Sequence, residues 1–574
     1  MIKIGKSLKS YTADADKAVS PEETVKIAKS AFEMHDRQIL SELKRIDTGR
    51  LNIPVYLSIC GEKARESMPS RKQMGKGFTP VQAQASALME LAERYSYFSF
   101  IQDEHNFENL TWNDAVETLG NQLIPIDEII KSTGEDISAH AAAEILSLVE
   151  WQFTPATLVG ENKKLYAPFT LFKKLNEFNG CSAGNSYEES ILQGGCELIE
   201  RHCCALIDSS KKQTATIDQS DINDPVLQDL LSKFTSNGIK VWLKDFTLDM
   251  PVPTVAAIAY DPGTFPGLSE IVYTAGTATS PAKAAIRALT EVAQLSGDFH
   301  SASNYEASGL PKYRDIQDIQ WLIQGPAISL DTLPDISHQD IGQELITLCK
   351  GLRERGYTLY SIPTLNKDLN IPANYNFIPG LSFRERTKNT TIGMVTGRIL
   401  AEDTEPYLAL DGLESLSKFY QDAFFIPFYQ GMVYLRLNDF DHAMYLFNQA
   451  LDQQLDNESK ALCSFYNAYT LSLQSEWPKT IPYLDMAIDC DPLVKEYFNL
   501  RGVAFFKQKN YEKAVHDFQK ALDLDSGSAT DLANLGLCYL NIGQKKAAVE
   551  TLSQALELDP NLEYAKKGLD QITL

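Results

Sequence analysis

Three stretches of this chain place polar side chains at one spacing, four residues and then three: Ser86, Glu90 and Glu93; Gln193, Glu197 and Glu200; Arg287, Glu291 and Gln294. That spacing is the period of a single helix face. In the first stretch Arg94 joins the polar face while Leu88, Leu91 and Tyr95 cover another. In the second, Glu189, Gln193, Glu197, Glu200 and Arg201 stand opposite Ile191, Leu192, Leu198 and Ile199, and in the third the polar residues oppose Ala285, Ile286, Leu289 and Ala293. One such helix alone reads as a solvated face; three of them read as a device. If the Glu90/Glu93 and Glu197/Glu200 faces converge, four carboxylates concentrate negative charge at one place, which is costly unless divalent cations or protons neutralise it. Magnesium takes one or two carboxylates per ion and completes its shell with water and phosphate oxygens, so two ions bridging four glutamates to a polyphosphate are chemically coherent. Histidines and cysteines at zinc-ligand spacing do not occur.

Phosphate also needs cations, and Arg94, Arg201 and Arg287 share the carboxylate faces, with Lys6, Lys9 and Lys17 available upstream. Before the first helix comes Met74-Gly75-Lys76-Gly77, and before the second Asn179-Gly180-Cys181-Ser182-Ala183-Gly184-Asn185. Both read as small-residue turns that let backbone approach a ligand. A Walker A loop is absent, because Gly5-Lys6-Ser7 lacks the upstream glycine and Gly75-Lys76 is followed by Gly77. Any nucleotide is therefore bound without a P-loop. No general base emerges from the eight histidines; His202, after the second E-x-x-E-R, reads as a packing or helix-surface residue.

The elements that must position these faces lie in a chain of 574 residues, too long for one hydrophobic core. With 44% hydrophobic and 22% charged residues it is neither disordered nor membrane-spanning. A net charge of −23 with no basic run disfavours nucleic acid. The start Met1-Ile2-Lys3-Ile4-Gly5-Lys6 lacks the apolar stretch of a signal peptide, so a cytoplasmic location is expected. The nine cysteines, Cys203-Cys204 included, read as reduced core thiols. Residues 1–400 mix signals: Pro21-Glu22-Glu23-Thr24 opens a helix, Ile53–Ile59 and Val252–Tyr260 read as strands, and Gly160-Glu161-Asn162 separates two strand-like runs. The expected class is α+β.

A linker is expected over 401–423, with its polar run Ala401 to Pro406, and from 424 to 574 self-similarity takes over. Gly431, Ala468, Gly502 and Gly536 are each followed at +3 by Tyr434, Leu471, Phe505 and Tyr539; Ala450, Ala487, Ala521 and Ala555 lie 37, 34 and 34 residues apart. The 34-residue period resembles a tetratricopeptide array, here of about four units, an all-α solenoid. Pro482 and Thr480 depart from the pattern, and a kink or short helix is expected there. Such an array serves a partner protein or peptide, makes a homodimer, or buttresses the rest of the chain.

The combination S-x-x-x-E-x-x-E-R at Ser86–Arg94, Asn185-x-x-x-Glu189 with E-x-x-E-R at Glu197–Arg201, and R-x-x-x-E-x-x-Q at Arg287–Gln294, in that order, resembles the YcaO family over most of residues 1–400. The resemblance implies a YcaO-type core that binds ATP and Mg2+. Glu90, Glu93, Glu197 and Glu200 would be metal ligands. Lys9, Lys17, Ser86, Asn185, Glu189, Arg201, Arg287, Glu291 and Gln294 would contact ATP, with Lys17 standing where the family commonly has arginine.

Members of known activity use ATP to phosphorylate the oxygen of a peptide amide for attack by a nucleophile. Azole-forming members commonly end in a proline-rich tail, whereas this chain ends Asp570-Gln571-Ile572-Thr573-Leu574, so thioamidation with a sulfur-delivery partner is favoured over cyclodehydration. The helical extension is also similar to that of a bacterial member linked to ribosomal-protein β-methylthiolation as an accessory factor. A third reading is a non-catalytic scaffold with a regulatory ATP site.

Overall fold

The three polar-faced segments are helices, Pro80–Gln102, Tyr187–Ser210 and Pro281–Ser296, in a computed structural model that describes residues 2–33, 38–299, 313, 315–384, 386, 390–453, 456–525 and 527–573. Each begins on a local helix-start signal. Thr79 accepts from the Gln82 amide ahead of Pro80, Ser186 accepts from the Glu189 amide, and Ser280 precedes Pro281 at the first helical position. The described residues form two compact units, Met1–Ile392 and Gly393–Leu574.

The strands of the first unit are, in order, β1 (Leu40–Arg45), β2 (Val55–Cys60), β3 (Lys72–Lys76), β4 (Glu108–Leu110), β5 (Trp151–Leu158), β6 (Lys163–Pro168) and β7 (Cys181–Ala183). They continue with β8 (Thr216–Ile217), β9 (Lys240–Asp245), β10 (Thr254–Tyr260), β11 (Val272–Thr277), β12 (Ala327–Ile328), β13 (Tyr360–Pro363) and β14 (Ala373–Phe377). They form three sheets, β1-β2-β3, β11-β10-β9-β8-β12, and β4-β5-β13-β14-β7 with β6 on β5. Only the two-residue β8/β12 pair is parallel among the described ladders, so the core is α+β. The expected elements are present: a helix over Pro21–Glu33, β2 at 55–60, and a β5/β6 hairpin that turns at Asn162 in the left-handed region. β10 is buried on both faces, from Val255 to Ala259.

Each motif helix lies on one sheet and reaches the next. Pro80–Gln102 packs on β2 and β3 and touches β7 and β14; Tyr187–Ser210 packs on β7 and β14 and touches β11; Pro281–Ser296 packs on β10 and β11 and touches β3. The apolar sides enter separate cores, Leu88, Leu91 and Tyr95 in one, Ile191, Leu198 and Ile199 in another, Ala285, Leu289 and Val292 in a third. The polar faces are left toward the space between the helices. Close approach depends on glycine: a Cβ on Gly75 of β3 would stand 2.0 Å from the Ala87 backbone nitrogen, and one on Gly276 of β11 would stand 2.4 Å from the Ala284 carbonyl oxygen. Met74–Gly77 is therefore not a turn but the end of β3, pressed against a helix, and the Asn179–Asn185 segment likewise contains β7.

The second unit contains four antiparallel helix pairs at Phe425–Arg436/Phe440–Leu451, Asn457–Leu473/Trp477–Cys490, Lys495–Lys507/Tyr511–Leu524 and Ala529–Asn541/Lys545–Leu558, then a helix Glu563–Thr573. Gly431, Gly502 and Gly536 face Phe447, Phe518 and Leu552 in equivalent positions. Two expectations are corrected. Residues 401–423 are not a linker: Ile392–Asp403 and Pro406–Ser417 are helices, the second capped by the Glu405 carboxylate, which accepts from Tyr407 N at 3.0 Å and Leu408 N at 3.1 Å, with Leu413 and Leu416 buried. The polar run is a helix start signal. Trp477–Cys490 is neither short nor interrupted at Pro482; a proline early in a helix forfeits one backbone bond, while Thr480, Leu484 and Ala487 are buried.

Gly75→Ala is expected to lower the stability of the first unit by about 1–3 kcal/mol or more, because the new methyl meets backbone that cannot rotate away. The urea midpoint, read with an unchanged slope, checks it.

Candidate functional site

The three polar faces meet in one cavity of about 710 Å3. Ser86, Glu90, Glu93 and Arg94 come from the first helix, Glu189, Gln193, Glu197, Glu200 and Arg201 from the second, and Arg287, Glu291 and Gln294 from the third; Lys17 and Asn185 complete the expected set on its wall. Every one of these helical residues lies on the side that its sheet leaves open, which is why spacing alone could nominate them.

Lys9 is the exception. Its ammonium donates to Asp16 at 2.7 Å and Glu344 at 2.6 Å, its side chain is 3% exposed, and it does not line the cavity. The reason is electrostatic: Glu344 is fully buried and requires a counter-charge, which Lys9 supplies while fastening the N-terminal segment to the Ile341–Glu354 helix.

The carboxylates feel one another across helices. Burial pushes the Glu93 carboxyl up to about 8, Arg94 pulls it down, and Glu197 and Glu90 push it further up. Burial also raises Glu197, opposed by Arg201 and Arg94 and assisted by Glu200. Lys76 is lowered to about 8 by burial and by Arg287, against Glu200 and Glu90, and is ion-paired with Glu291. Glu200 accepts from the Thr277 amide at 2.9 Å, Arg287 donates to Gln193 at 3.0 Å, and the Arg94 Nε is 3.5 Å from Glu93. Glu189 accepts from Asn185 Nδ2 at 3.0 Å and from Ala18 N at 2.8 Å, with the Lys17 ammonium 3.4 Å away.

This donor set fits a magnesium-bound polyphosphate. Its acceptors are carboxylate oxygens, and two buried guanidinium nitrogens, Arg94 Nη1 and Arg287 Nε, have no hydrogen-bond partner among the described residues. Buried donors of that kind call for an acceptor. No three His, Cys, Asp or Glu side chains among the described residues stand together as a preassembled metal cluster. Separate carboxylates suit an ion that takes one or two of them and fills its shell from water and phosphate.

Lys76, Tyr273 and Arg384 also line the cavity and are not among the site residues the sequence suggests, while Gln193 lies on the expected polar face without an expected role. Lys76 and Gln193 fall within the motif segments, but their roles depend on which side chains oppose them. Tyr273 on β11 and Arg384, which contacts both Tyr273 and Asp208, belong to no periodic pattern. His202 is buried, accepts from Ser382 N at 2.9 Å and is lowered to about 4 by burial, so it packs as a neutral ring. All nine cysteines are free, and burial raises the thiols of Cys203 and Cys204. No described helix is long and apolar enough to cross a membrane.

Fold and site define a class: an α+β core whose cavity sets carboxylates of two E-x-x-E-R helices against arginines and a lysine, a place for metal-bound polyphosphate built without a P-loop. The chain belongs to the YcaO family, whose model, described as YcaO cyclodehydratase, ATP- and Mg2+-binding, matches residues 74–382. Tetratricopeptide models match 496–528 and 532–562. An uncharacterized protein of Methanothermobacter thermautotrophicus is 30% identical over 376 residues, 63% of this chain and 94% of that protein. Among solved structures, a heterocyclase in complex with substrate and cofactor shares the fold with TM-score 0.52 and 21% identity, over 67% of this chain and 54% of that one. The YcaO protein of Methanopyrus kandleri bound with AMPPCP and Mg2+ gives TM-score 0.49 and 19% identity, over 66% and 95%.

At about a hundredfold over its dissociation constant, Mg-ATP is expected to stabilise the unit that binds it by roughly 2.7 kcal/mol. Glu200→Gln and Glu93→Gln should each abolish the corresponding thermal shift, whereas independent mild effects would break the shared-site arrangement. Without nucleotide, Glu93 ionises near 4.5 in the unfolded chain and near 8 in the fold. The native state thus holds a proton that the unfolded state has lost, and this group's contribution to stability falls as pH rises through that window. Urea midpoints between pH 5 and 8.5 should show a slope that Glu93→Gln flattens.

Proposed function

We propose that this chain uses Mg-ATP to phosphorylate the oxygen of a peptide or protein backbone amide, for a post-translational modification such as thioamidation. The observation that carries this reading is the meeting of Glu90, Glu93, Glu197 and Glu200 with Arg94, Arg287 and Lys76 in one cavity. Membership of a family described as an ATP- and Mg2+-binding cyclodehydratase supports an ATP-dependent peptide modification; the particular amide chemistry is our inference from the resemblance.

In this scheme the four glutamates would hold magnesium, which when bound would neutralise phosphate charge. Arg94, Arg287 and Lys76 take the remaining phosphate oxygens, Ser86, Asn185, Glu189, Arg201, Glu291 and Gln294 orient the nucleotide, and Lys17 adds a point charge from the N-terminal segment. Hydrosulfide adds to the amide carbon, the resulting oxyanion takes the γ-phosphoryl group, and ADP departs. Loss of inorganic phosphate, with the S–H proton given up to solvent, then carries the original amide oxygen away and leaves a thioamide. The protein contributes position and fixed charge in a walled cavity. The repeat unit, in the same reading, recruits the substrate protein or the sulfur-delivery partner.

The test follows the oxygen. With Mg-ATP, a sulfide source and peptides labelled with heavy oxygen at the backbone carbonyl, turnover should move the label into inorganic phosphate, and Glu93→Gln should abolish the transfer. ADP release with the label retained in the peptide would instead make the site a simple or regulatory ATPase.

A further inference from the structure

Resting on the Mg-ATP reading of this cavity, we propose that Asp14 is the ribose-recognition residue, accepting from the vicinal hydroxyls of the bound nucleotide and so selecting ribonucleotides over deoxyribonucleotides. Asp14 is 2% exposed and lines the cavity. One carboxylate oxygen accepts from the Tyr11 hydroxyl; the other, Oδ2, is buried without a hydrogen-bond partner among the described residues. A buried carboxylate oxygen left unsatisfied is expensive, and a hydrogen-bond donor satisfies it.

The segment bearing Asp14 is held in place. Tyr11 and Lys17 pair as a small antiparallel bridge, with Lys17 N donating to Tyr11 O at 3.0 Å, and the Lys283 ammonium donates to the Thr12 carbonyl at 2.6 Å and also to that of Ala13. The carboxylate therefore has a fixed position on the cavity wall.

Phosphate oxygens only accept, so a carboxylate has no use for them. The donors of ATP are the adenine amine and the two ribose hydroxyls. Lys17, the cation nearest in sequence, is three residues away, so its backbone lies within about 11 Å of that of Asp14 even if fully extended, and closer in the bridged loop. Of the ATP donors, the two vicinal ribose hydroxyls offer a carboxylate a matched pair, which the single adenine amine does not. Carboxylates recognise ribose hydroxyls in the same way in dinucleotide-binding folds.

The experiment compares Mg-ATP with its 2′-deoxy and 3′-deoxy analogues by titration calorimetry on the full chain. Wild type is expected to bind at least one deoxy analogue about tenfold or more weakly than ATP, and Asp14→Ala should bring the nucleotides within about twofold of one another. Tyr11→Phe, which keeps the carboxylate and removes its orienting donor, should narrow the preference and serves should Asp14→Ala fail to fold. Wild type that binds ATP and both analogues equally overturns the assignment while leaving the ATP site intact, and so does Asp14→Ala with undiminished discrimination. Wild type that binds none of the three overturns the Mg-ATP reading itself.

Discussion

Repulsion between carboxylates organises the first unit. Glu90 and Glu93 on one helix and Glu197 and Glu200 on another line the same cavity, close enough that Glu197 and Glu90 help to raise Glu93 to about 8. Such a wall stands only if the surrounding framework is stable enough to hold like charges together, and it becomes favourable once cations or protons arrive. Arginines and Lys76 are interleaved with the carboxylates, so the cavity is matched to a ligand that carries both metal charge and phosphate charge.

The framework supplies this rigidity through shared contacts. Each motif helix is packed on one sheet and touches another, so none can tilt without disturbing two cores. Behind the second helix a buried polar network adds precision. Asn376 donates to the Gly180 carbonyl at 2.8 Å and to Ser182 at 2.9 Å, and Asn374 donates to Ser190 at 2.8 Å, fixing the segment that ends at Asn185. The amide nitrogens are satisfied in this way, while Asn374 Oδ1 and Asn376 Oδ1 have no partner among the described residues, and the donated bonds favour one loop geometry where apolar packing would tolerate several. The N-terminal segment is fastened by the same means: Gly5 donates to Glu188 at 2.8 Å, Ser7 to Asp340 at 2.8 Å, and Lys9 fills the charge pocket of Glu344.

The repeat unit obeys a different physics. Its helices contact sequence neighbours, and three of the four pairs close on a glycine facing a large side chain, as Gly502 faces Phe518. Its architecture was accordingly legible from a 34-residue period. The misread parts were local. A polar run ending in Glu405-Pro406 reads equally as a linker or as a helix cap, and only the burial of Leu413 and Leu416 distinguishes them.

By itself the sequence determined whatever depends on periodicity: the three helices, the side of each that would be polar, the α+β class, the repeats and the four glutamates, because a helix face is a property of spacing. Tertiary structure decided what depends on opposition. It took Lys9 away to neutralise Glu344, paired Lys76 with Glu291, made Met74–Gly77 a strand end against Ala87, and left Asp14 buried with an oxygen unsatisfied. Each of these outcomes turns on the charge or volume of a residue far away in the chain, and spacing along the chain carries no record of which distant residue that will be.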